Sequence, residues 1–346
     1  MTRRRALIVV PGRGSYDRAS LGQLAQRSEA ATAVIDACDT WRAQHGRTPV
    51  RDLDAESSFR ASRHLAGEHA SLLTLACSLA DLADLDADRY EIVGVCGNSM
   101  GWYGALAVAS ALPLADAIAL VDTMGAYQEA NVIGGQVIYP LFDGEEALAD
   151  RVERALEQVR AQGGNAWWSI DLGPHAVLGA DEEGVRLLLD TLPPIKKGDR
   201  TFPSRLPMHS GFHTPLLQST SERALVDLSH LSFRAPTVPL IDGRGQIFRP
   251  RWADPREIAA YTLGAQVTSV YRFDYGLRTA LSHCGPDVVV ALGPGNSLGG
   301  AIAHALTRER WRGAADRESF NALQRSEEPV LLSFGIPEQR ALLTHP

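Results

Sequence analysis

Apolar runs closed by glycine recur along this chain. ALIVV (6–10) is uninterrupted and leads straight into PGRGS (11–15). That is the pattern of a strand buried on both faces and ended by a sharp loop. EIVGVC (91–96) repeats it and leads into GNSMG (97–101). DVVVALGPGNSLGGAIAHAL (287–306) gives strand, glycine loop and helix again. Between these runs the apolar spacing is helical. In SLLTLACSLADLAD (71–84), Leu72, Leu73, Ala76, Leu79, Ala80 and Leu82 make a broad apolar face. MGWYGALAVASAL (100–112) predicts a helix of small residues stopped by Pro113, and LADAIALVDTMGAYQEA (114–130) predicts a second. Strands alternating with helices predict an α/β layer architecture, with ligands beyond the C-terminal edges of the strands. The glycine loops fall on that edge.

The pattern changes after residue 132. GGQVIYPLFDGEEALADRVERALEQVRAQ (134–162) reads as a strand and an amphipathic helix, AWWSIDL (166–172) and HAVLG (175–179) as short strands, and DEEGVRLLLDTL (181–192) as a helix. This order predicts a small α+β unit inserted in the larger one. The expected division is a large catalytic domain from 1–131 and 206–313, a small subdomain over 132–205, and a C-terminal extension, 314–346. The extension is polar apart from VLLSF, and its pattern predicts no place for it.

Composition narrows the classes without choosing among them. The 346 residues are 45% hydrophobic and 22% charged, as in ordinary globular proteins. A net charge of −7 argues against a dedicated nucleic-acid binder. Arginines precede ALIVV, but Pro11 cuts that run short of a signal-peptide core. No run approaches the roughly 18 apolar residues of a membrane span. Cys38, Cys77, Cys96 and Cys284 form no CxxC pair and no zinc-spaced cluster. A reducing, cytoplasmic setting with no bound metal is the expectation.

The candidate chemistry centres on Ser99. GNSMG fits G-x-S-x-G, in which glycines let a strained turn lift a serine above the sheet edge. The amide of Met100, at a helix N-terminus, then faces any oxyanion that forms there. A glycine-rich turn binding phosphate through its backbone fits the same five residues. A serine nucleophile needs a base. Of the ten histidines, His213 lies in a loop bounded by glycine and proline, GFHTP. That context suits a shaped site, and it also suits a surface histidine.

Several stretches together resemble the malonyl-CoA:acyl-carrier-protein transacylase family, including the acyltransferase domains of polyketide synthases. VVPGRGS (9–15) is similar to F-P-G-Q-G-S. GNSMGWYGALAVASALPLADAIALVDTMGAYQ (97–128) resembles the G-H-S-L-G-E-Y stretch and the helices after it. LPMHSGFHTPLL (206–217) is like L-P-V-S-H-A-F-H-S-P-L-M, and VALGPGNSLGGAI (290–302) is like E-V-G-P-G-K-V-L-T-G-L-I. Order and spacing agree over roughly residues 6–306. The resemblance implies an α/β-hydrolase-like large domain with an inserted ferredoxin-like small subdomain. It implies ping-pong chemistry through a Ser99 acyl-enzyme, with His213 as base and then acid, and the amides of Met100 and Arg13 as oxyanion hole. A backbone carbonyl from Gln266, in GAQVTSVYRF, would orient His213. The implied substrates are acyl-CoA and acyl carrier protein, as CoA or phosphopantetheine thioesters, with no bound cofactor. A monomer that engages neither membrane nor nucleic acid is also implied.

Departures from the family pattern point to a specialised relative. Malonyl-using members carry an arginine, in R-L-R-G, that pairs with the free carboxylate of malonate. The matching stretch here is DTMG (122–125), so Met124 stands in its place. A buried carboxylate with no cation costs several kcal/mol, so Met124 predicts an acyl group other than malonyl. A helix methionine also fits plain core filling. Arg13 replaces the glutamine of P-G-Q-G-S. Its side chain is expected in solvent or in a structural role, with carboxylate or donor-phosphate binding as further options. Asn98 and Trp102 replace the histidine and glutamate of the elbow. SGFH (210–213) makes Ser210, Gly211 and Phe212 acyl-pocket candidates with Met124, Asn98 and Trp102, the small pair enlarging the pocket. A second function fits the same acyl-enzyme: an editing hydrolase that clears acyl groups from carrier proteins, with Asn98 and Trp102 admitting water. A third is a carrier-binding module without turnover, against which the retained Ser99 and His213 argue. Carrier proteins are acidic, so IKKGDR (195–200) with Arg205, and RERWR (308–312), are candidate docking patches.

Overall fold

A computed structural model describes residues 2–130, 132–144 and 146–345. Its centre is a six-stranded sheet ordered Ile247–Phe248, Leu240–Ile241, Tyr90–Gly97, Arg4–Val10, Val288–Ala291 and Leu331–Ser333. Every neighbouring pair is parallel except Leu240–Ile241 with Ile247–Phe248. Arg4–Val10 lies in the middle, and Ala6 to Val10 are all buried. Burial on both faces is why these strands read as unbroken apolar runs. In register, Val10 pairs with Gly97 and Val9 with Cys96 and Ala291. The loops after the first two strands therefore leave the sheet side by side.

The second sheet has the order Ser204–Arg205, Gly135–Pro140, His175–Ala180, Ala166–Asp171 and Tyr271–Arg272. Its first four strands are antiparallel neighbours. The fifth, Tyr271–Arg272, comes from outside residues 132–205 and runs parallel to Ala166–Asp171. Helices Ala149–Ala161 and Glu182–Thr191 turn Val152, Leu156, Val159, Val185 and Leu188 into a separate core with Val137, Tyr139 and Leu178. The two helices and the first three of these strands along the chain follow the strand–helix–strand–strand–helix order read from the sequence, and Ser204–Arg205 adds a strand that was not read.

Several elements differ from their expected limits. The helix expected over 100–112 spans Gly101–Val108, because Ser110 turns left-handed at φ 56 just after it. The helix expected over 71–84 starts earlier, at Gly67. Residues 29–44 form a further helix that packs on it. The C-terminal segment is part of the large sheet. Leu331–Ser333 pairs with Val289–Ala291, and Leu343 is fully buried. Among the described residues, no helix is long and apolar enough to cross a membrane, and no group of three or more His, Cys, Asp or Glu could hold a metal ion.

Candidate active site

Strand Tyr90–Gly97 ends in a turn that fixes Ser99 at φ 54. A non-glycine residue there carries strain and marks a site worth explaining. The flanking glycines are sterically required. A Cβ on Gly97 would lie 2.2 Å from Gly101 O, and one on Gly101 would lie 2.2 Å from Val10 O. Both obstacles are backbone and cannot swing away. Asn98 N donates to Val10 O at 3.0 Å, tying the turn to the neighbouring strand.

Ser99 Oγ lies 2.7 Å from His213 Nε2. On the other side of the ring, His213 Nδ1 lies 2.5 Å from Gln266 O. A carbonyl only accepts, so the proton sits on Nδ1, and the Nε2 lone pair faces the serine hydroxyl. His213 N also donates to Val267 O at 2.8 Å, which holds the residue at φ 60. A π-helical turn, Tyr261–Ala265, immediately precedes Gln266. Burial pushes His213 down to about 4, against a smaller opposing effect of the Gln266 carbonyl. Among the described residues no carboxylate stands behind the ring to support a positive charge, so the resting imidazole is neutral. The ring can take the serine proton as that hydroxyl attacks a carbonyl carbon.

The Gln266 side chain adds a second tie. Its Nε2 donates to Ser99 O at 3.0 Å, and Tyr103 OH donates to its Oε1 at 2.8 Å. Tyr271 OH donates to Gly97 O at 2.6 Å. Sequence reasoning missed both tyrosines. Tyr103 closes the same G-x-S-x-G-x-Y stretch that carries Ser99, so its spacing was the available signal. Tyr271 had none.

Ser99, His213 and Gln266 line a cavity of about 270 Å³, together with Met100, Arg13, Met124, Asn98 and Phe212. Met124 is 4% exposed. The amides of Arg13 and Met100 donate to no backbone acceptor among the described residues. Other expected pocket residues lie elsewhere. Trp102 is wholly buried, with its indole donating to Thr262 Oγ1 and its ring against Tyr261 and Phe248. It sits on the helix face opposite the cavity. Ser210 and Gly211 are tied to Ile133 by Ser210 Oγ and Gly211 N, away from the cavity wall. Neither lines the cavity, so the structure shows no enlargement of it at these positions.

The half-buried Arg13 side chain takes the structural role that the sequence offered beside solvent exposure. It turns inward to line the cavity and donates to Met208 O. Burial brings it down to about 9, with Glu129 opposing. Beside it, burial and then Arg13 push His209 down to about 3. Of the expected docking cations, Arg200 lines the cavity, Arg205 pairs with Glu182, Arg308 with Asp274, and Arg312 with Asp287.

A strained serine between strand and helix, a histidine on its hydroxyl and a main-chain carbonyl behind the ring make the geometry of the nucleophile-elbow class. No family model matches the chain. The chain's relatives are malonyl-CoA:acyl-carrier-protein transacylases and polyketide synthases. It is 23% identical over 320 residues to the malonyl CoA-acyl carrier protein transacylase of Bacillus subtilis, covering 92% of this chain and 96% of that protein. It is 29% identical over 213 residues to the polyketide synthase GfsB of Streptomyces halstedii, a match covering 59% of this chain but only 3% of that protein. In structure it is similar to the acyl-carrier-protein-S-malonyltransferase of Bartonella henselae, with a TM-score of 0.74, 22% identity and 98% of each chain covered. The mixed α/β fold is that of these transferases.

Proposed function

We propose that the chain is an acyltransferase. It moves an acyl group other than malonyl from a CoA or carrier-protein thioester, through a Ser99 acyl-enzyme, to an acyl carrier protein. The observation that carries this reading is the Ser99–His213–Gln266 relay opening onto a cavity walled by Met124. In the first half-reaction, the bond from Ser99 Oγ to the acyl carbon forms and the thioester C–S bond breaks. His213 Nε2 takes the serine proton and delivers it to the departing thiolate. The carrier thiol then gives its proton to His213 and attacks the ester, and Ser99 leaves with that proton. The free amides of Met100 and Arg13 suit the oxyanion of both tetrahedral intermediates. No cofactor is needed, because the thioester itself supplies the activated acyl group.

Met124 places sulfur and methylene where malonyl-using members place a guanidinium, so a malonyl carboxylate loses its partner there. The sheet orders suit an α/β-hydrolase-like large domain and a ferredoxin-like small subdomain, with residues 314–346 built into the large one. The buried thiols of Cys38, Cys77, Cys96 and Cys284 suit a reducing cytoplasm. Arg200, exposed at the cavity, suits the phosphate of a pantetheine arm from an acidic carrier. The hydrolytic reading loses one support, since Trp102 is packed in the core and admits no water.

Incubation with acyl-CoA donors, then with a phosphopantetheinylated carrier protein, tests this. Acyl label is expected on Ser99 and then on the carrier thiol, and Ser99→Ala should abolish both. Malonyl labelling faster than every other acyl group would overturn the acyl assignment. Free acid as the main product with carrier present would overturn transfer in favour of hydrolysis.

A further inference from the structure

Arg13 occupies an unusual position for a charged side chain. Its NH1 is buried and has no hydrogen-bond partner. Its NH2 is satisfied only by a neutral main-chain oxygen, Met208 O. The guanidinium lies against Gly67, where an added Cβ would come within 3.2 Å of NH1 and 3.1 Å of Gln128 Cβ. Gly67 itself is pressed onto the helix that carries Met124, since the same Cβ would meet Gly125 O at 2.9 Å. Gln128 follows Met124 by one helical turn, about 5.4 Å along the axis. The positive charge lost at position 124 is thus matched by one a turn further along the same helix, reaching in from the loop after the first strand.

Among the described residues, Arg13 and Arg200 line the cavity and no aspartate or glutamate does. Glu129 is the nearest acidic influence, but it is exposed, and its carboxylate accepts from Gly67 N at 3.1 Å. A half-buried cation with one buried, idle donor and no ion pair among the described residues calls for an anion supplied by the ligand.

We infer that Arg13 is a specificity-determining residue that pairs with a carboxylate on the acyl chain, placed beyond the malonyl position, so that the preferred donor is a longer ω-carboxyacyl thioester. This rests on the acyltransferase reading above and names its substrate class. A malonyl carboxylate at Met124 would meet a side chain that offers it no charge. A plain fatty acyl group would reach but leave the charge unpaired. A phosphate of the donor arm is the other source of an anion, and Arg200, exposed at the cavity, fits it better.

The test measures kcat/KM for Ser99 acylation with succinyl, glutaryl and adipyl donors against butanoyl, pentanoyl and hexanoyl donors of matching length. Each is presented as the CoA thioester and as the phosphate-free N-acetylcysteamine thioester. The wild type is expected to prefer at least one carboxyacyl donor over its neutral counterpart and over malonyl. Arg13→Gln should lower that preferred rate by about 10–100-fold more than it lowers the rates with the neutral donors, the size of a charge-assisted pair. The loss should persist without phosphates, and Arg13→Lys should restore part of it. Equal losses for charged and neutral donors, confined to CoA thioesters, would assign Arg13 to phosphate and overturn the inference. Equal losses for every donor would make Arg13 structural and overturn it as well. If neutral donors label Ser99 and carboxyacyl donors never exceed them, this inference fails while the acyltransferase reading stands. If nothing labels Ser99, both fail.

Discussion

In the proposed mechanism the serine–histidine pair relies on what surrounds the imidazole, not on a carboxylate behind it. A main-chain carbonyl fixes the tautomer but adds no negative charge, and burial keeps the ring neutral, down at about 4. The base form is therefore already present at neutral pH. The acylation rate should stay level as pH falls from neutral and drop only as pH falls through about 4. A pH profile of pre-steady-state acylation checks this, and a limb near the ordinary 6.5 of histidine would contradict it. Gln266 contributes its carbonyl whatever its side chain is. Gln266→Ala should therefore leave the pH limb in place and remove the ties to Ser99 O and Tyr103 OH, slowing acylation by about 2–10-fold. Ser99 stood out in the sequence through G-x-S-x-G, which a phosphate-binding turn also fits, His213 lay in a loop that also suits a surface histidine, and Gln266 was singled out through the resemblance alone. Trp102, Ser210 and Gly211 were misread for a common reason. Neighbouring positions in sequence face different ways on a helix or a bent loop, and proximity to a reactive residue does not say which way. The inward turn of Arg13 was equally hidden, since it depends on space left by Gly67, far from it in the chain.

At the scale of elements, the elbow is a strand, a strained turn and a helix whose parts touch through backbone. Gly101→Ala would drive a Cβ into Val10 O at 2.2 Å. No rotamer relieves that contact, so either the helix or the first strand must move. The variant should lose about 3 kcal/mol or more of stability, or fold with Ser99 displaced. Denaturant unfolding with a parallel acylation assay separates these outcomes, and wild-type values in both would refute the packing argument. The buried strands were readable because continuous apolar runs have few other uses in a chain of this composition. The ends of helices were less so. Pro113 suggested where the helix after the elbow stops, but Ser110 in a left-handed conformation ends it sooner. The π-helical turn before Gln266 left no mark in the apolar spacing, though it sets where the carbonyl behind His213 stands.

At the scale of the whole molecule, the site lies where the two sheets meet. Ser99 comes from a loop of the large sheet. Gly135–Pro140 and Ala166–Asp171 of the second sheet add Gln136, Ile138 and Ile170 to the cavity wall. Strand Tyr271–Arg272 comes from the chain after residue 205 but pairs with Ala166–Asp171, so the segment assigned to the large domain also contributes a strand to the second sheet. The C-terminal segment was unreadable for a related reason. VLLSF is too short to show periodicity, and only its partner Val288–Ala291 makes it a strand. Ending the chain after Glu328 would strip away Val330, Leu331, Leu332, Phe334 and Leu343, all buried. At about 1.5–3 kcal/mol for each large apolar side chain, the loss rivals the whole stability of a typical domain. Such a truncation should fail to fold or melt about 10 °C lower or more by circular dichroism; an unchanged melting curve would show that the outer strand is dispensable. The central claim, that Ser99 carries the acyl group, has a direct measurement. The wild type is exposed to a panel of acyl thioesters, digested under mild acid, and its peptides are weighed. A single acyl adduct on the peptide containing GNSMG, missing in Ser99→Ala and scarce in His213→Ala, is the predicted result. No adduct from any donor, or one carried on another residue, would contradict it.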